Sequence, residues 1–158
     1  MALKYLLDTD TLSFVVSNRH PEVRKTFLEH AHESGISVIT YAEALFGARK
    51  KKAVKLESLI GVFCDMIEIR TFTDATASVY ADVRAQLESD GTPIGALDME
   101  IAAAAKSIDA ILVTNNTQHF SHVKGLKIEN WVAEQTALSA VRTSRQDFGE
   151  EGSRMSDV

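Results

Sequence analysis

Cysteine is nearly missing from this chain: Cys64 is the only one in 158 residues. That excludes an internal disulfide framework and a cysteine-rich zinc site, and it suits a reducing cytoplasm. Long apolar runs are also missing. The first, ALKYLL, is stopped by Asp8, far short of the ~20 residues a membrane span needs, and no signal-peptide core follows. An intracellular protein without membrane attachment is expected. There is no excess of positive charge, since the formal net charge is -5; broad nonspecific coating of nucleic acid is thereby disfavoured, because such binding rests on Lys and Arg neutralising phosphates. No G-x-x-x-x-G-K-S/T loop occurs, so nucleotide-driven phosphoryl chemistry has no support. Internal repeats are absent as well.

What is present is enough apolar material, 45% of the residues, to fill one two- or three-layer core. Short β-like runs, KYLL, ISVI, MIEIR and AILV, with a weaker one at LKIEN, alternate with stretches of helical periodicity. That alternation predicts an α/β fold with a parallel sheet. Val23, Phe27, Leu28 and Ala31 recur at helical spacing after Pro21, and Val79, Val83 and Leu87 after Asp74; both stripes are expected to face the core. Phe14, Phe46, Phe63 and Tyr80 lie in similar patterns and are expected in the core rather than stacking on bases. GTPIGALD reads as an exposed loop leading into the helix DMEIAAAAKS. The pattern decays after Trp131, so the expected organisation is one domain over 1–133 and a disordered or partner-bound tail over 134–158.

In an open parallel sheet, sites form beyond the C-terminal strand ends, near the point where strand order reverses. Asp8 directly follows KYLL, Glu43 lies a helical turn beyond ISVI, Asp98 opens the helix after the glycine-rich loop, and Asn115 and Asn116 follow AILVT. Each has a plainer role open to it. Thr40 to Glu43 fits a capping box, Asp98 fits an N-cap, and Asn116 fits a turn residue. Asp10 is read as the cap of the helix TLSFVV. Asp8 is harder to explain that way, because an acid against a buried strand end loses solvation unless a cation compensates it. Converging carboxylates either raise their own pKa values or bind a divalent ion, and oxygen-only ligands favour Mg²⁺ or Mn²⁺.

Four segments taken together, LLDTDTLSF, ISVITYAEALFGARK, PIGALDMEIAAAAKS and LVTNNTQHF, resemble in order and spacing the successive motifs of VapC toxins, which are PIN-domain ribonucleases. The resemblance runs from about Leu3 to Trp131. It implies a parallel sheet of about five strands, in the order 3-2-1-4-5, between helices. It implies Asp8, Glu43 and Asp98 as metal-binding acids, with Asn116 where many relatives carry a fourth acid. The amide leaves the site one charge short. Ala104, where relatives often have histidine, takes no role. The implied activity is Mg²⁺- or Mn²⁺-dependent endonucleolytic cleavage of RNA, commonly tRNA, to 3′-hydroxyl and 5′-phosphate ends. Implied partners are a cognate VapB antitoxin that covers the acidic pocket and a second copy of the chain.

Arg49, Lys50, Lys51, Lys52 and Lys55 crowd five cations into one short stretch. They read as a phosphate-guiding rim for RNA or as a solvated helix end. Two other functions stay open at this stage. One is a PIN module that binds RNA or protein with weak catalysis, motivated by Asn116 and the acidic charge. The other is a phosphatase of the haloacid dehalogenase kind, because Asp8-Thr9-Asp10 mimics its D-x-D opening, although Thr11-Leu12 replaces the Gly-Thr that normally follows. His119 and His122 have an H-x-x-H spacing that suggests zinc, but without further ligands they read as a surface pair.

Overall fold

The computed structural model describes residues 2–132; the expected boundary at 133 and the tail beyond it lie outside the described residues. Five short strands, β1 (Tyr5–Leu7), β2 (Ser34–Ser37), β3 (Glu68–Arg70), β4 (Ile111–Val113) and β5 (Lys127–Glu129), form one sheet. Their order is β3-β2-β1-β4-β5 and every pairing is parallel. The helices are α1 (Thr9–Ser17), α2 (Pro21–His30), α3 (Val38–Lys50), α4 (Val54–Cys64), α5 (Asp74–Asp90), α6 (Ala96–Ser107) and α7 (Thr117–Phe120). Both the α/β class and the strand order expected from the resemblance are found.

Strand alternation sorts the core into two layers. Tyr5 and Leu7 of β1, with Ile36 and Val113, pack among Leu12, Val15, Phe27 and Ile60 on the α1, α2 and α4 side. Leu6 and Leu112 point the other way, toward Val83, Leu87, Ile101 and Ala102 of α5 and α6. A strand buried on both faces reads as a continuous apolar run, which is why KYLL and AILV stand out in the sequence. Each such side chain contributes roughly 1.5–3 kcal/mol by leaving water. Among the described residues no helix is long and apolar enough to cross a membrane.

Local chemistry moves several expected boundaries. The ISVI strand ends early: Ser37 accepts a hydrogen bond from the Thr40 amide at 3.1 Å, so Val38 and Ile39 already belong to α3. Leu28 does not face the core and is 49% exposed. At Gly35 a Cβ would lie 2.8 Å from the Glu68 carbonyl oxygen, so only glycine lets β2 approach β3 this closely.

Candidate active site

The chain leaves β1 into α1 with no loop between. Asp8 donates its amide to the Val113 carbonyl at 3.0 Å, continuing the sheet, while its Oδ1 accepts from the Thr11 amide at 2.8 Å, starting the helix. Asp8 is therefore the N-cap, and the cap expected at Asp10 is displaced. The reason is backbone geometry: α1 begins at Thr9, so Asp8 is the last extended residue and Asp10 falls in the first turn, exposed.

Asp8 is only 5% exposed. Burial raises its pKa, opposed by hydrogen bonds from the Thr114 hydroxyl and the Thr11 amide, and the neighbouring charge acting on it is the like-signed Asp10. Thr114, fully buried, also accepts from the Asn116 amide at 3.0 Å. One hydroxyl thus ties Asp8, at the end of β1, to Asn116, beyond the end of β4. Asn116 sits at the start of α7 without a capping bond from its side chain.

Glu43 is not the reciprocal member of a capping box. Ser37, not Thr40, caps α3, and Glu43 instead accepts from the Thr9 hydroxyl at 3.0 Å. The acid that follows β2 is thereby held one residue from Asp8. Asp98 lies in the first turn of α6, whose N-cap is Gly95, so it does not itself cap the helix. Its Oδ2 meets Nε2 of His119, on α7, at 3.2 Å. His119 is the site residue that sequence reasoning missed, because the spacing to His122 suggested a pair between the two histidines. The fold turns His119 toward a carboxylate distant in sequence, while His122 is exposed.

Asp8 and Asn116 follow the C-terminal ends of adjacent central strands, Glu43 follows the neighbouring strand β2, and Asp98 begins the helix that returns to β4. All four belong to the same edge of the sheet. Among the described residues no three His, Cys, Asp or Glu side chains are grouped closely enough to hold a metal ion; Glu43 is engaged with Thr9, and Asp98 with His119. The donor chemistry nevertheless suits a hard divalent cation. The candidate ligands are carboxylates, and at the most buried of them hydrogen bonds alone oppose the desolvation of the charged form.

A cleft of about 180 Å³ opens beside the acids between α1, α3 and α4, with Thr9, Asp10, Glu43 and Lys51 at its polar side and Leu12 and Ile60 in its floor. Of the basic cluster, Lys51 reaches this cleft, whereas Arg49 is paired with Glu57 at 2.8 Å. Lys52 sits in a left-handed turn, φ 52°, between α3 and α4. Phe63 is in the core as expected, but Phe46 is not, being 66% exposed. Cys64 is buried, and burial pushes its thiol up to about 11, so it has no nucleophilic role at neutral pH.

Comparison with known proteins agrees with this architecture. The family model for the PIN domain matches residues 5–126. The tRNA(fMet)-specific endonuclease VapC of Shigella flexneri is 35% identical over 130 residues, covering 82% of this chain and 98% of the relative. Ribonuclease VapC2 of Haemophilus influenzae is 35% identical over 131 residues, covering 82% of this chain and 99% of the relative. Among solved structures, VapBC2 of Rickettsia felis bound to a promoter DNA fragment matches with a TM-score of 0.75 at 31% identity, over 80% of this chain and 98% of that one. DNA-bound VapBC of Salmonella typhimurium matches with a TM-score of 0.73 at 33% identity, over 82% and 98%. The phosphatase reading loses its ground, since the D-x-D opening belongs to a different fold from the one matched. With its sheet order, its acidic strand ends and these relatives in agreement, the chain belongs to the PIN-domain family, among the VapC ribonucleases.

Proposed function

We propose that this ribonuclease is the toxin of a VapBC-type pair, cutting RNA at the sheet edge that carries Asp8, Glu43, Asp98 and Asn116. What supports the reading is the descent of these four groups from neighbouring elements onto one edge, with a buried carboxylate among them that hydrogen bonds rather than a cation offset. Asp8, Glu43 and Asp98 would hold Mg²⁺ or Mn²⁺. Such an ion, when bound, supplies positive charge to the phosphodiester and makes a bound water more acidic. The chain's own groups then have distinct tasks. Thr114 and Thr11 fix the Asp8 carboxyl, Thr9 orients Glu43, and His119 steadies Asp98, so that Glu43 and Asp98 each keep one oxygen anchored and one to offer. Asn116, a neutral amide, positions by hydrogen bonding without adding charge.

The named activity of the Shigella relative makes tRNA the first substrate to test. The purified chain, freed of any partner, is expected to cut tRNA with Mg²⁺ or Mn²⁺ and to stop when EDTA is added, leaving 3′-hydroxyl and 5′-phosphate ends. RNA retarded in a gel but never cut would favour the binding-module reading instead. The partner proposed is a cognate VapB-type antitoxin, by analogy with the solved VapBC complexes; a basic side chain of that partner would neutralise the acidic edge. A homodimer of the chain is proposed on the family resemblance alone.

Three variants probe the edges of the site. Asn116→Asp restores a carboxylate beside the Thr114 link, and its cleavage rate is expected to equal or exceed that of the wild type; total loss would show that the amide itself is required. Neutralising Lys50, Lys51 and Lys52 to glutamine should weaken RNA binding and reduce the log–log salt slope by roughly 2, at ~0.7 per phosphate contact on a single strand. An unchanged slope would return the cluster to a solvated helix end. Arg49→Gln should matter less, because Glu57 already holds its guanidinium.

A further inference from the structure

The α3 helix carries more than Glu43 toward the acidic edge. Residues 39, 43, 46 and 50 follow one another at helical spacing, so Ile39, Glu43, Phe46 and Lys50 form a single stripe. Ile39 packs into the core layer of α5 and α6, the layer whose helix α6 bears Asp98. The stripe therefore runs outward from that core, past Glu43, to an aromatic ring one turn further on. That ring is 66% exposed, and the Lys50 ammonium stands 5.9 Å from its centroid. A lone exposed aromatic needs no explanation. This one shares a helix face with a candidate catalytic acid and has a cation over its ring.

We infer that Phe46 is a stacking platform for a nucleobase of single-stranded RNA, with Lys50 meeting the adjoining phosphate, so that the base beside the scissile bond is gripped one helical turn from Glu43. The inference rests on the ribonuclease reading of the acidic edge and adds to it the form of the substrate: an unpaired base, splayed from its neighbours. Physically the site suits it. A base needs only a π-face to stack, so a phenyl ring binds it without sequence preference, and a cation beside the ring follows the backbone. Helical bases already stacked on each other have no face to offer. Recognition of this kind selects loops and single strands.

The probe is a short 2′-O-methyl oligouridylate, which carries bases and phosphates but resists cleavage. Phe46→Ala should weaken its binding about ten- to a hundredfold with an unchanged melting curve, since the ring is outside the core. Wild type and variant should bind an abasic oligomer of the same length equally. In Phe46→Trp the new indole should be quenched by the oligouridylate, while the wild type, whose single Trp131 is buried, shows no change. Binding of Phe46→Ala at wild-type affinity, or an unquenched Phe46→Trp, overturns the stacking role. So does loss of antitoxin binding with oligouridylate affinity intact, which would assign the ring to a protein contact. If Phe46→Ala and wild type cut RNA equally well, stacking alone fails; if wild type neither binds nor cuts RNA, the ribonuclease reading of the edge fails with it.

Discussion

Asp8→Asn is expected to abolish RNA cleavage, by at least about a hundredfold, and at the same time to raise the melting temperature of the protein measured in EDTA at neutral pH. The two effects share a cause. Burial raises the Asp8 pKa from its ordinary value, so the folded chain holds that proton more tightly than the unfolded chain does. The stability linked to it is complete below the unfolded aspartate value and is lost as pH rises through the raised one. Once ionised, the wild type carries a buried charge that asparagine does not. Asparagine also keeps the bond from the Thr11 amide, being as good an N-cap as aspartate. Alanine removes it, at a cost of about 1 kcal/mol, so Asp8→Ala should melt below Asp8→Asn. The advantage of Asp8→Asn over wild type should shrink on acidification. A melting temperature lower than wild type would refute the burial argument, and retained cleavage would remove Asp8 from the site.

The same residue shows how much was readable beforehand. Central strands announce themselves because both faces are buried: KYLL and AILV have no polar interruption, and their parallel pairing follows from the helices between them. Asp8 was recognisable as an acid pressed against such a strand end. Which aspartate caps α1 was not recognisable, because that depends on whether the helix starts at Thr9 or at Thr11. Glu43 had the right spacing for a capping box with Thr40, and only the deeper placement of Ser37 at the cap releases it toward Thr9. His119 and Phe46 failed for the opposite reason. Their local patterns were informative but misleading: a nearby histidine masked the contact with Asp98, 21 positions away, and an apolar helical stripe gave no sign that its outer end runs past the core. Periodicity reports which residues share a face; it does not report where the neighbouring layer stops.

Divalent-ion binding should appear as stability before it appears as activity. Mn²⁺ or Mg²⁺ at about a hundred times its dissociation constant should stabilise the wild type by roughly 2.7 kcal/mol, a rise in melting temperature on the order of ten degrees for a domain of this size. The acids start from hydrogen-bonded positions, Glu43 on Thr9 and Asp98 on His119, and among the described residues no trio is already drawn together. Gathering them sets the three carboxylates against one another, so their mutual repulsion must be offset by the ion. It follows that the ion-dependent rise should be nearly lost in Asp8→Asn and strongly reduced in both Glu43→Gln and Asp98→Asn, although the metal-free forms of all three remain folded. His119→Gln can still hydrogen-bond Asp98 and should keep most of the rise. Equal stabilisation of wild type and Asp8→Asn would mean that the ion binds elsewhere, and the four groups at the sheet edge would then need another explanation for their convergence.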